Sequence, residues 1–150
     1  MKSVQFECFI KWSPSENLSK YDHTKKMITG LGIDTVDVAR IAEKIGKENG
    51  FRELVFSAGE IAYCESKPHK YEHYAARFAA KEAFFKAIGT GWLNGTAFNE
   101  VEVTNDERGK PAIRFLGETF VTVKDLPIGA ILVSLTHTKT TAAAVVIIEN

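Results

Sequence analysis

The chain has 150 residues, 45% hydrophobic and 11% aromatic, enough apolar content for one core and too short for more than one ordinary domain. Nineteen basic against nineteen acidic side chains leave a formal charge of zero, which excludes a bulk-charge attraction to nucleic acid or a membrane surface. Two widely separated cysteines, Cys8 and Cys64, exclude a disulfide scaffold or a cysteine zinc site and suit a reducing cytoplasm, and neither a bilayer-spanning apolar run nor a secretory leader pattern is found.

Val4, Phe6, Cys8, Ile10 and Trp12 alternate with polar residues and predict a half-buried strand over Met1 to Trp12, broken at Ser13-Pro14-Ser15. After a polar stretch from Leu18 to Lys26, Met27 to Ile33 reads as a buried strand containing Gly30 and Gly32, with Asp34 at its end. A helix is expected from about Asp37 to Glu48, with Val38, Ile41 and Ile45 facing the core and Gly50 beyond its end. Its other face carries Arg40, Lys44 and Lys47, a basic stripe that by itself is ordinary solvated surface, flanked by Glu43 and Glu48.

Ser57 and Glu60 have the spacing of a capping box and start a helix that must end before Pro68. The longest helix follows, from about Glu72 to Ile88, closed by Gly89-Thr90-Gly91. Val101 and Val103, then Ala112 to Phe115, predict a hairpin across Asn105 to Gly109. A short amphipathic stretch around Glu118 to Lys124 leads to two last strands, Ala130 to Thr136 and Thr141 to Ile148, joined by His137-Thr138-Lys139-Thr140.

In the long helix Glu82 falls on the same face as Phe78 and Phe85, an unusual place for a carboxylate. Lys86, one turn on, could make it an ordinary surface pair, which contributes only about 0.3–0.5 kcal/mol. Asp34 and Glu82 are alternatively a carboxylate pair of the kind that holds Mg²⁺ while substrate phosphates and water complete its shell. Asp34 taken alone also fits a helix cap. Arg77, Lys81 and Lys86 would supply phosphate contacts around such a metal. Gly89-Thr90-Gly91 by itself is a helix C-cap whose dipole repels anions unless a cation such as Lys86 intervenes. His137 and Gly109-Lys110-Pro111, each read alone, are turn residues.

In combination these segments resemble one family. Gly32-Ile33-Asp34 with Arg40, Phe56-Ser57 with Glu60, Arg77-Phe78-Ala79-Ala80-Lys81-Glu82 through Lys86, Gly89-Thr90-Gly91, Gly109-Lys110-Pro111 and Ser134-Leu135-Thr136-His137-Thr138 occur in the order seen in holo-acyl-carrier-protein synthases, the small 4'-phosphopantetheinyl transferases. The resemblance covers Met27 to about Glu149, leaving residues 1–26 as an extension ahead of a transferase domain over residues 27–150.

The resemblance implies an α+β fold, an antiparallel sheet packed with a long helix, assembled as a homotrimer with sites at subunit interfaces where His137 could act across to a neighbour. It implies Mg²⁺-dependent transfer of phosphopantetheine from coenzyme A to a serine of apo acyl carrier protein, releasing 3',5'-ADP, in fatty acid biosynthesis. By motif position Asp34 and Glu82 would hold the metal and Lys86 would add positive charge. Arg77, Phe78, Lys81 and Gly89 to Gly91 would contact coenzyme A, and Gly109, Lys110, Pro111, His137 and Thr138 its adenosine 3'-phosphate side. The acceptor of the serine proton stays open between Glu82 and a metal-bound hydroxide. The stripe Arg40, Lys44 and Lys47 would meet the acidic carrier protein. Two other readings remain: a coenzyme A-binding module or structural subunit without transfer, and the same transferase serving polyketide or peptide synthase carriers.

Overall fold

The computed structural model describes residues 27–89 and 95–150; the strand expected at Met1 to Trp12, and Thr90 and Gly91, lie outside the described residues. Strand β1 runs from Ile28 to Asp37. It continues past the expected end, so Asp34 sits inside the strand, paired in register with Ala144. The helix cap is Asp37, whose carboxylate accepts from the Arg40 backbone N–H at 3.1 Å.

Helix α1 covers Val38–Gly46, ending earlier than expected, and buries Val38 and Ile41. Gly50 then takes a left-handed φ of 83° and starts a short helix, α2, at Phe51–Val55. Five residues are too few for periodicity to reveal. Ser57 caps α3 (Ala58–Glu65) with the expected capping box. Helix α4 spans Lys70–Ala87. After a 3₁₀ turn at Phe98–Glu100 come β2 (Val101–Asn105), β3 (Pro111–Phe115), α5 (Gly117–Val123), β4 (Ala130–His137) and β5 (Thr141–Glu149).

The described strands form two antiparallel sheets, a three-stranded one ordered β1-β5-β4 and the β2-β3 hairpin. Helix α4 lies across the larger sheet because small residues let the two backbones approach. Ala75, Ala79, Ala83 and Ala87 recur every fourth position and are buried, facing a sheet whose β5 offers Ala142 and Ala144. On β1 the matching positions are Gly30 and Gly32, where a Cβ would overlap the carbonyl oxygens of Ala87 and Ala83. This contact sets Asp34, next on that face of β1, beside the C-terminal half of α4. The other flank of α4 closes with aromatics: Tyr74 meets Phe56 edge-on at 4.7 Å, and Phe84 meets Phe115 at 5.1 Å. The expected α+β architecture is thus what the chain adopts.

Candidate active site

Asp34 and Glu82 come together where β1 meets α4. Lys86 Nζ lies 2.7 Å from Asp34 Oδ1 and donates to the Ile33 carbonyl at 3.1 Å. The ammonium one turn past Glu82 therefore pairs with Asp34 rather than forming the simple helix-surface pair. Glu82 is half-buried and its carboxyl is held above the usual carboxylate range, by burial first and then by the negative charge of Asp34, with Lys86 and Arg40 opposing. A carboxylate whose ionisation is opposed by a neighbouring carboxylate suits a cation between the two. Both donors are hard oxygens, which fits Mg²⁺ completed by water and phosphate. Among the described residues no cluster of three or more metal-binding side chains occurs, so these residues would supply only this pair.

Glu82 and Lys86 also line a cavity of about 400 Å³ whose walls are Phe51, Phe78, Phe85 and Phe98, with Lys44 at its edge. The expected placement of Glu82 among aromatic rings holds, and the lining from α2 and the 3₁₀ turn is added by the fold. Lys44 lays its ammonium 5.0 Å from the centroid of the Phe51 ring. Of the other two residues in the basic stripe, Arg40 is exposed, and Lys47 is engaged by Glu43 at 2.8 Å.

A second cavity, about 180 Å³, opens at the N-terminal half of α4. It joins Arg77, Gly109, Pro111 and His137, four predicted residues from three separate segments. Gly109 makes the β2-β3 turn possible with φ of 83°. Lys110 is exposed on that turn, its backbone N–H donating to Asp106 Oδ1 at 2.8 Å. Thr138 accepts from the Thr141 N–H at 3.1 Å and so shapes the β4-β5 turn that follows His137. His137 turns back onto its own α4, with Nδ1 3.1 Å from Glu72 Oε2.

Arg77 is 2% exposed. Its Nη2 donates to Asn105 Oδ1 at 2.8 Å, its guanidinium stacks 3.9 Å over the Tyr63 ring, and its Nε is buried with no hydrogen-bond partner. No carboxylate pairs with it among the described residues. A buried guanidinium without a counter-ion is costly, and an anion in the cavity removes that cost.

Lys81 corrects the expectation that it contacts coenzyme A. Its ammonium is fully buried and donates to Glu60 Oε2 at 2.7 Å, the Phe98 carbonyl at 2.7 Å and the Val101 carbonyl at 2.6 Å. All three of its donors are used, so none remains for a phosphate. Glu60 completes the cluster by accepting from the backbone N–H of Ser57 and Val103, tying α3 and β2 to α4. Its capping-box spacing was visible in the sequence; the buried ion pair was not. Tyr63, His73 and Asn105 at the second cavity, and Glu72 against His137, were likewise missed, because no local pattern marks side chains that meet only through the fold.

One helix therefore presents a carboxylate-lysine cluster and, further toward its N-terminus, a buried arginine with an unpartnered Nε, an arrangement that could receive a phosphate-bearing molecule. A family model for the 4'-phosphopantetheinyl transferase superfamily matches residues 30–131. The holo-acyl-carrier-protein synthase of Solibacter usitatus is 44% identical over 125 residues, covering 83% of this chain and all of that protein. The crystal structure of the holo-acyl-carrier-protein synthase from Neisseria meningitidis superposes with a TM-score of 0.76 at 29% identity, covering 83% of this chain and 100% of the other. That from Bacillus anthracis, in complex with coenzyme A (3',5'-ADP), gives 0.68 at 33% identity over 83% of this chain and 98% of the other. The chain belongs to the 4'-phosphopantetheinyl transferase superfamily and is an enzyme of its holo-acyl-carrier-protein synthase branch.

Proposed function

We propose that the enzyme transfers 4'-phosphopantetheine from coenzyme A to a serine of apo acyl carrier protein, with Mg²⁺ and release of 3',5'-ADP, and so supplies holo carrier protein to fatty acid biosynthesis in the cytoplasm. The observation that carries this reading is Arg77, a buried cation with a free Nε in a cavity shared with Gly109, Pro111 and His137, on the same helix as Glu82. The Bacillus anthracis relative bound to coenzyme A (3',5'-ADP) supports a nucleotide phosphate as its occupant.

Arg77 and His137 hold the 3'-phosphate, and the Gly109-Lys110-Pro111 turn closes over the adenosine. Asp34 and Glu82 would hold Mg²⁺, which when bound would offset charge on the pyrophosphate being split. Lys86 keeps a further positive charge at the same place. The serine oxygen forms its bond to the β-phosphorus, the bond from that phosphorus to the 3',5'-ADP oxygen breaks, and the serine proton passes to a base, a role for which Glu82 is one candidate. The aromatic cavity beside Glu82 gives the pantetheine arm an apolar wall through Phe78. Gly89 to Gly91 would follow the same arm. Arg40 and Lys44 meet the acidic carrier protein, with Lys47 weakened by its pairing with Glu43.

Homotrimeric assembly fits the outer face of the larger sheet. There Leu31, Ile33 and Leu132 are 66%, 60% and 47% exposed, flanking Val145 and Ile147 of β5. Mass spectrometry of apo acyl carrier protein incubated with the enzyme, coenzyme A and Mg²⁺, with an EDTA control, tests the transfer. A metal-dependent gain of one phosphopantetheine is expected. Coenzyme A binding without gain on fatty-acid or polyketide carriers would leave a binding module instead.

A further inference from the structure

The cavity at Arg77 holds a residue that the family motifs do not include. His73 lines it beside His137, their rings 5.0 Å apart and nearly perpendicular, and touches Tyr63 edge-on at 5.8 Å. The Tyr63 ring in turn carries the Arg77 guanidinium at 3.9 Å and the Lys67 ammonium at 4.5 Å. Two imidazoles and the Arg77 guanidinium thus line one small space, with the Lys67 ammonium held nearby on the Tyr63 ring. Among the described residues the carboxylate facing the group is Glu72, which lies 3.1 Å from His137 Nδ1.

We infer that His73 is a further contact for the anionic phosphate in this cavity and takes up a proton as that phosphate binds. This rests on the reading of the cavity as the seat of the 3'-phosphate.

The physical reason is electrostatic. In the free protein His73 is surrounded by like charge. Burial first, then His137, Arg77 and Lys67, hold its basicity below the ordinary histidine value of 6.5, with Glu72 opposing. An anion bound to Arg77 and His137 reverses the sign of that field and stabilises the imidazolium. His73 is then neutral in the free enzyme near neutral pH and charged in the complex. Binding takes up a proton between the free and bound values, and affinity falls as pH rises through that window. His137 differs in having the Glu72 carboxylate 3.1 Å from its Nδ1.

Calorimetry of 3',5'-ADP binding to the intact enzyme tests this, in buffers of differing ionisation enthalpy, comparing wild type with His73→Gln. Titration of the phosphate itself is common to both proteins and cancels. Wild type is expected to take up more protons than the variant and to lose up to about tenfold more affinity per pH unit within the window. The KM for coenzyme A should show the same extra pH dependence. Equal proton uptake by the two proteins would overturn the role of His73 and leave the nucleotide site standing. Failure of wild type to bind 3',5'-ADP would instead remove the reading on which the inference rests. Should His73→Gln not fold, the His73 imidazole resonance of wild type decides: an upward move of its titration midpoint on adding 3',5'-ADP is expected, and an unchanged midpoint refutes the proposal.

Discussion

Replacing Lys81 by methionine should cost about 3–5 kcal/mol of folding stability, because it strands a buried carboxylate. Both side chains of the Lys81–Glu60 pair are 0% exposed, and among the described residues the ammonium is the only cation paired with that carboxylate. Glu60 would keep two backbone donors, from Ser57 and Val103, but lose its counter-charge. The Phe98 and Val101 carbonyls would lose a donor as well. Against a total margin of about 5–15 kcal/mol, such a loss is large enough to read in urea unfolding at fixed protein concentration. The double variant Glu60→Met with Lys81→Met should recover most of it, since two apolar side chains of similar volume leave no buried charge. A single variant within about 1 kcal/mol of wild type, with weakened coenzyme A binding, would refute this reasoning and return Lys81 to the ligand site.

Glu82→Gln should fold and lower turnover at least about 100-fold, a loss of roughly 2.7 kcal/mol in transition-state stabilisation; activity within threefold of wild type would remove Glu82 from the chemistry. Because the Glu82 carboxyl is raised above its ordinary value of 4.5, the wild-type fold binds that proton more tightly than the unfolded chain, and this contribution to stability is lost as pH rises through the folded-state value. Metal-free Glu82→Gln should therefore melt above wild type at neutral pH, with the gap closing on acidification below about 4.5. Gly32→Ala should lower both melting temperature and turnover, because the added Cβ overlaps the Ala83 carbonyl and pushes α4 away from Asp34; unchanged activity would show the β1-α4 contact to be slack. Arg40→Glu should raise the KM for acyl carrier protein in a salt-dependent way and leave that for coenzyme A unchanged, which steady-state kinetics with each substrate varied in turn will check.

Much of this protein was legible in local pattern. Capping chemistry at Ser57 and Glu60, the alternation on β2 and β3, and the turn at Asn105 to Gly109 involve neighbours in the chain, so their physics is contained in short windows. The same holds for Glu82 beside Phe78 and Phe85, which helical periodicity alone brings to one side. Motif order extended that to Asp34 and His137, distant in sequence. It misjudged Lys81, because spacing on α4 reveals the face a residue takes but not what lies opposite. That face turned out to be closed by Glu60 and two carbonyls.

What only the tertiary structure decided is which side chains share a space and which charges go uncompensated. The ammonium of Lys86 reaches Asp34 because Gly30 and Gly32 admit α4 against β1, a close approach that two glycines permit but do not announce. Arg77 and Lys81 are both buried cations on one helix, yet Lys81 is fully bonded and Arg77 is not, a difference set by the elements packed across from each. Burial and charge compensation are sums over every neighbour in three dimensions, whereas periodicity and capping are read along the chain. The amino-acid order was therefore sufficient for most of the elements and for the family, and the fold alone separated the fully bonded Lys81 from Arg77, whose Nε has no partner.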